Sequence, residues 1–293
     1  LLFGKVGNAH DLVSGAFSSV QLGNVNNFAL NFKQTSPNIY QVDVKGSSID
    51  GREFVGGKKD ASSSTGSSAS SLNADVNIAI ETPTLRGGDR ADQVIRNARI
   101  KANIDKNGDM RRLDFTGIVG KNDAVSVQMK PNASGVNSLS ITTKNAGAFL
   151  DAFDIYNNMR GGELNIQATQ IAGLGVNDFR GNADIRNFKI VKAPILAKLI
   201  NAFSLSGLGA LLNNQGMDFT RMRAEFDWRD SKNGRVINVR NGKASGASIG
   251  LTFGGILNQD KNSIDMSGTV VPVAGVNKVV SKIPIVGELL TGG

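Results

Sequence analysis

The stretch Ala98-Arg99-Ile100-Lys101-Ala102-Asn103-Ile104-Asp105-Lys106-Asn107-Gly108-Asp109-Met110-Arg111-Arg112-Leu113-Asp114-Phe115 decides the fold. Ala98, Ile100, Ala102 and Ile104 alternate with Arg99, Lys101 and Asn103, the period-two pattern of a strand with one face on a core and the other in water. Asn107-Gly108 supplies a turn, because both residues tolerate positive φ, and the alternation resumes through Leu113 and Phe115. A hairpin is expected here.

The same grammar recurs along the chain. Val125, Val127 and Met129 form one set, Leu139 and Ile141 a second, Leu164 and Ile166 a third, Ala183 and Ile185 a fourth. Met222, Ala224, Phe226 and Trp228 run into Asp230-Ser231-Lys232-Asn233-Gly234. Ile237 and Val239 return toward Asn241-Gly242, and Ala247, Ile249, Leu251, Phe253, Ile264 and Met266 follow. About ten to twelve consecutive strands joined by short polar turns are expected. So many strands do not stay flat, so the expected fold is mainly β: a long, curved antiparallel meander forming a groove.

Three segments depart from alternation and are expected to be short capping helices, near 146–156, 194–213 and 275–290. Phe149, Leu150 and Phe153 mark the first. Pro194 opens the second, with Ile195, Leu196, Leu199, Ile200 and Phe203 on one stripe. Lys198 and two glycines within it argue against a membrane span. Val276, Val279, Val280 and Ile283 mark the third. Residues 56–71, almost entirely Ser, Gly, Ala and Thr after Lys58-Lys59-Asp60, lack the apolar content to offset their ordering entropy and read as a flexible loop. It separates a strand-rich piece over 1–55 from a main β-groove over 72–293. The start at Leu1, without an initiator Met or leader, suggests a segment of a longer polypeptide.

Composition removes several chemistries. The chain has no Cys, which excludes disulfides, thiolate nucleophiles and iron–sulfur ligation, and one histidine, His10, on which any Ser-His-Asp site would depend. The 33 Lys and Arg against 25 Asp and Glu give +8, but the cations are scattered and aromatics are only 6%, which argues against nucleic acid. No phosphate-binding glycine motif is present; Arg86-Gly87-Gly88-Asp89-Arg90 reads as a turn. Asp184, Glu225, Asp227 and Asp230 could in principle supply an acid/base pair for a hydrolase, yet their places between apolar neighbours suit a solvated outer face. No cofactor, metal or catalytic residue is expected, and the chain reads as non-enzymatic.

A long apolar face with only two or three helices to cover it is either a partner surface or a ligand channel. The residues expected to line it are Ile100, Val127, Met129, Ile141, Ile166, Ile185, Phe226, Trp228, Ile249, Leu251 and Met266. Such a groove would hold alkyl chains, with polar headgroups at the rim.

Ser267-Gly268-Thr269-Val270-Val271-Pro272, Asn277, and the run from Lys282-Ile283-Pro284-Ile285 to Gly293 resemble the C-terminal signature of the AsmA-like superfamily, in its YhdP-like branch. Thr142-Thr143-Lys144-Asn145-Ala146-Gly147, Tyr156 through Leu164, Phe188 through Ala197, Gly216-Met217-Asp218-Phe219 and Gly242-Lys243-Ala244-Ser245-Gly246 match in the same order, so the resemblance covers about 95–293. Val273-Ala274 replaces the family's usual aromatic, and members continue beyond the position of Gly293. The resemblance implies the periplasmic part of an inner-membrane-anchored protein of Gram-negative bacteria, whose groove moves phospholipids toward the outer membrane. The alternative is a non-enzymatic scaffold for outer-membrane biogenesis.

Overall fold

The computed structural model describes residues 2–6, 9–52, 74–175, 177–192, 216–231, 234–247, 249–258, 261, 263–272 and 281–288. The fold is mainly β, an open meander with one short helix among the described residues. The chain divides into two compact units, 1–138 and 139–293. The first holds β1 (Leu2–Val6), β2 (Ala9–Leu22), β3 (Asn26–Ser36), β4 (Ile39–Asp50), β5 (Asp75–Arg86), β6 (Val94–Ile104), β7 (Met110–Val119) and β8 (Asp123–Pro131). The division falls within β9 (Asn137–Thr143). The second unit continues with α1 (Ala146–Ala152), β10 (Met159–Gln170), β11 (Phe179–Ile190), β12 (Met217–Ser231), β13 (Gly234–Gly246), β14 (Ile249–Asn258), β15 (Ser263–Pro272) and β16 (Ser281–Glu288). Strand order follows chain order in each.

The hairpin expected from the opening stretch is present, with β6 paired antiparallel to β7. Its turn is built by Asp105, whose carboxylate accepts from the amides of Asn107 (2.9 Å) and Asp109 (3.0 Å), while Gly108 takes φ +84°. Asn132 repeats the device after β8, accepting from the amides of Ser134 and Val136, with Gly135 at φ +76°. Short polar side chains that bond their own backbone favour such turns over continued strand.

One junction departs from the expected meander: β4 and β5 pair in parallel, Ile39 opposite Asp75 and Asp50 opposite Arg86. Parallel neighbours need a crossover rather than a hairpin. The Ser/Gly-rich 56–71 falls in that crossover and lies outside the described residues.

Of the three expected helices, the first is α1. Asn145 caps it, its side-chain oxygen accepting from the Ala148 amide at 3.0 Å. Gly147 lets it touch β10, since a Cβ there would lie 2.5 Å from the Met159 carbonyl oxygen. The second, 194–213, lies outside the described residues. The third is corrected: within 275–290, residues Ser281–Glu288 form β16, paired antiparallel with β15. The valine and isoleucine spacing that suggested a helix is equally good strand material, and Pro284 would have broken a helix in mid-course.

Midway along their lengths the strands crease. Asn97 in β6, Asn187 in β11 and Asn241 in β13 adopt φ of +50°, +53° and +52°. Asparagine is among the few residues that visit this region at tolerable cost. The strand register jumps at two of them, between Arg96 and Arg99 and between Val239 and Gly242. A residue in this conformation resets the alternation, so Ile95 and Ala98, three apart, are both buried, as are Ile185 and Phe188.

Candidate functional site

In the first unit, cross-strand registers align apolar side chains into rows on one face. Phe32, Val42, Ile78, Ala102, Leu113 and Met129 are successive partners from β3 to β8, and Leu30, Val44, Ile80, Ile100, Phe115 and Val127 form the next row. Most of these are only half-buried; Ile80, Phe115 and Met129 are buried. Beyond the crease the same face is sealed: Ile49, Leu85, Val119 and Val125 are buried, and Ile95 is 0% exposed. Gly117 permits this closure, because a Cβ there would stand 2.3 Å from the Ile95 side chain.

The second unit repeats the division. Its sealed part contains Met159, Phe188, Met217, Phe219 and Ile249, with α1 contributing Phe149; Phe188 and Phe219 stack at 5.2 Å. Its half-buried part is the rows Phe226, Val239 and Met266, and Trp228, Ile237, Leu257 and Ile264. Leu164, Ile185, Met222, Ala244, Leu251 and Val270 form the row between, part sealed and part accessible.

The eleven residues expected to line a groove all fall on the apolar face of their own unit. Ile100, Val127 and Met129 share that face in the first unit. In the second, Ile166, Ile185, Phe226, Trp228, Leu251 and Met266 follow from register, and Ile249 from its two-residue offset to Leu251. Ile141 follows from its neighbour, since Ser140 accepts a hydrogen bond from Gln167 on the polar face. They differ in access: Met129, Ile185 and Ile249 are buried, and the other eight are half-buried.

The opposite face is ionic and ordered. Asp227 is 6% exposed and accepts from Arg180 on one neighbouring strand (2.7 Å) and Arg240 on the other (2.6 Å). These two guanidiniums hold its carboxyl well below the usual carboxylate range. Asp184 is held low in the same way, first by Arg221 and then by Arg186. Two of the four carboxylates considered for acid/base chemistry, Asp184 and Asp227, are thus engaged by arginines, which favours a permanent anion over a proton donor at each.

Sequence reading missed the creases, yet a signal existed. Ile95-Arg96-Asn97-Ala98-Arg99-Ile100, Ile185-Arg186-Asn187-Phe188-Lys189-Ile190 and Val239-Arg240-Asn241-Gly242-Lys243-Ala244 share one pattern: aliphatic, Arg, Asn, any residue, cation, apolar residue. Each copy places its asparagine at the left-handed position.

Among the described residues no group of three or more His, Cys, Asp or Glu converges as a metal site would, and no helix is long and apolar enough to cross a membrane. The fold and this face define an open β-meander with one apolar and one ionic side. Comparison with known protein families, curated proteins and solved structures finds no match to the chain.

Proposed function

We propose that the chain is a segment of an AsmA-like envelope lipid-transfer protein of a Gram-negative bacterium. In this reading the accessible half of each apolar face carries phospholipid acyl chains in the periplasm, between inner and outer membrane, and no catalysis is involved. The observation that carries it is the alignment of half-buried apolar rows across neighbouring strands, such as Phe226, Val239 and Met266, with Gly255 between the last two. A folded chain that leaves this much aligned apolar surface accessible has a ligand or partner for it. Apolar rows suit an alkyl chain, which needs no hydrogen bonds. The sealed halves anchor the sheet, so occupancy costs the core nothing. The resemblance of residues 95–293 to the AsmA-like signature supports the same conclusion.

The test is lipid occupancy. Purified protein should release phospholipid detectable by mass spectrometry, and Val127→Asp and Phe226→Asp should each empty their unit while leaving the β circular-dichroism signal unchanged. A lipid-free wild-type protein would defeat the proposal. Photo-cross-links from the same positions that carry protein rather than lipid mass would favour the scaffold.

A further inference from the structure

The pattern shared by the three creases carries a cation two residues after its left-handed asparagine: Arg99, Lys189 or Lys243. In the first two copies that cation faces an acid on a neighbouring strand. Arg99 stands opposite Glu81, and Lys189 stands opposite Asp218, with its ammonium 3.5 Å from the carboxylate. Lys243 instead stands opposite Arg223. One device, used three times, thus puts a guanidinium in its third copy where the others put a carboxylate.

Like charges directly opposite each other destabilise a sheet unless something neutralises them. Arg186 and Arg221 also face each other, but both bond Asp184, at 3.4 Å and 3.0 Å. Asp184 is the residue opposite Arg223 on its other side, and it is already taken. Arg223 and Lys243 are exposed on the ionic face, and among the described residues neither has an ion-pair or hydrogen-bond partner. The local potential is positive, because Asp184 balances only one of the two arginines bonded to it.

We propose that Arg223 and Lys243 form an anion site on the ionic face of the second unit, with a phosphate group as ligand and Thr252 as a third donor. The site goes beyond the lipid-transfer reading and stands whether or not the apolar face carries lipid. Facing side chains start about 5 Å apart, so one tetrahedral oxyanion fits between the two cations. The guanidinium presents parallel N–H donors to two oxygens, and the ammonium takes another. Thr252, exposed and opposite Lys243 on β14, adds a hydroxyl. Donors from three strands suit a group with more oxygens than the two of a carboxylate.

Titration calorimetry of the whole chain with inorganic phosphate at low ionic strength should show saturable binding that added chloride weakens. Arg223→Gln and Lys243→Gln should each weaken it by about tenfold, the effect of losing one charge-assisted hydrogen bond. Arg99→Gln, at the crease whose cation faces Glu81, should bind like wild type. Arg223→Glu restores the acid found at the other two creases, so it should abolish phosphate binding and raise the urea midpoint in phosphate-free buffer, which separates loss of the site from loss of the fold. No saturable binding, equal weakening by Arg99→Gln and Arg223→Gln, full binding by Arg223→Glu, or a lowered midpoint for that variant would each overturn the proposal. Vesicles of equal parts phosphatidylethanolamine and phosphatidylglycerol decide the source of the phosphate. Co-flotation that is lost in Arg223→Glu and reversed by inorganic phosphate identifies a lipid headgroup; a chain that binds inorganic phosphate and ignores the vesicles takes free phosphate.

Discussion

Asp227 lies on the water-facing side of its strand yet keeps only 6% of its surface, because Arg180 and Arg240 close over it from both neighbouring strands. Its folded pKa lies below the unfolded value of about 3.9, so the stability it contributes is fully present above that value. It is lost as the pH falls through the acid range toward the folded pKa. Urea melts at descending pH should therefore show a steeper acid loss for wild type than for Asp227→Asn, which lacks the titrating group and is less stable at neutral pH. On the apolar side, position relative to the crease decides the cost of a truncation. Ile95→Ala, in the sealed half, should cost about 2–5 kcal/mol in chemical denaturation. Ile100→Ala, half-buried, should cost only about 1 kcal/mol.

At the scale of strands, the left-handed asparagines tie sequence to packing. A β-branched residue is strained in that conformation, so Asn187→Val should destabilise by about 1–2 kcal/mol. Asn187→Gly, free of a Cβ, should stay within about 1 kcal/mol of wild type, and the contrast in urea midpoints between the two variants measures the crease. The alternation of Leu164 and Ile166 was legible because burial on one face imposes a period of two. The crease was not, because one asparagine between Arg186 and Phe188 looks like any outward polar residue until its pattern is compared across three strands. For 275–290, Val276, Val279, Val280 and Ile283 satisfy helical spacing in the sequence, and it is the pairing of Ser281–Glu288 with β15 that makes this part a strand.

At the scale of the molecule, the eleven residues read as groove lining share the apolar faces because register transmits a local period across each unit. What the period could not convey was access. Ile185, beside the crease, and Ile249, at the start of β14, are closed off, whereas Phe226 and Met266 are not. If the accessible halves hold acyl chains, bound lipid should raise the thermal midpoint of wild type, since a ligand of the native state stabilises it. Phe226→Asp should shrink that rise, and differential scanning calorimetry before and after delipidation would record both.

The parallel pairing of β4 with β5 has a topological consequence. No tight turn joins these two strands, so the cross-strand bonds there do not depend on a short covalent bridge. The chain must instead travel back along a twelve-residue strand, roughly 40 Å at about 3.3 Å per residue, with residues 51–74 to do it. That is ample tether, which makes this seam a natural place to divide the gene: a fragment ending near Gly56 and another beginning near Leu72, co-expressed, should find one another and co-purify as a split protein.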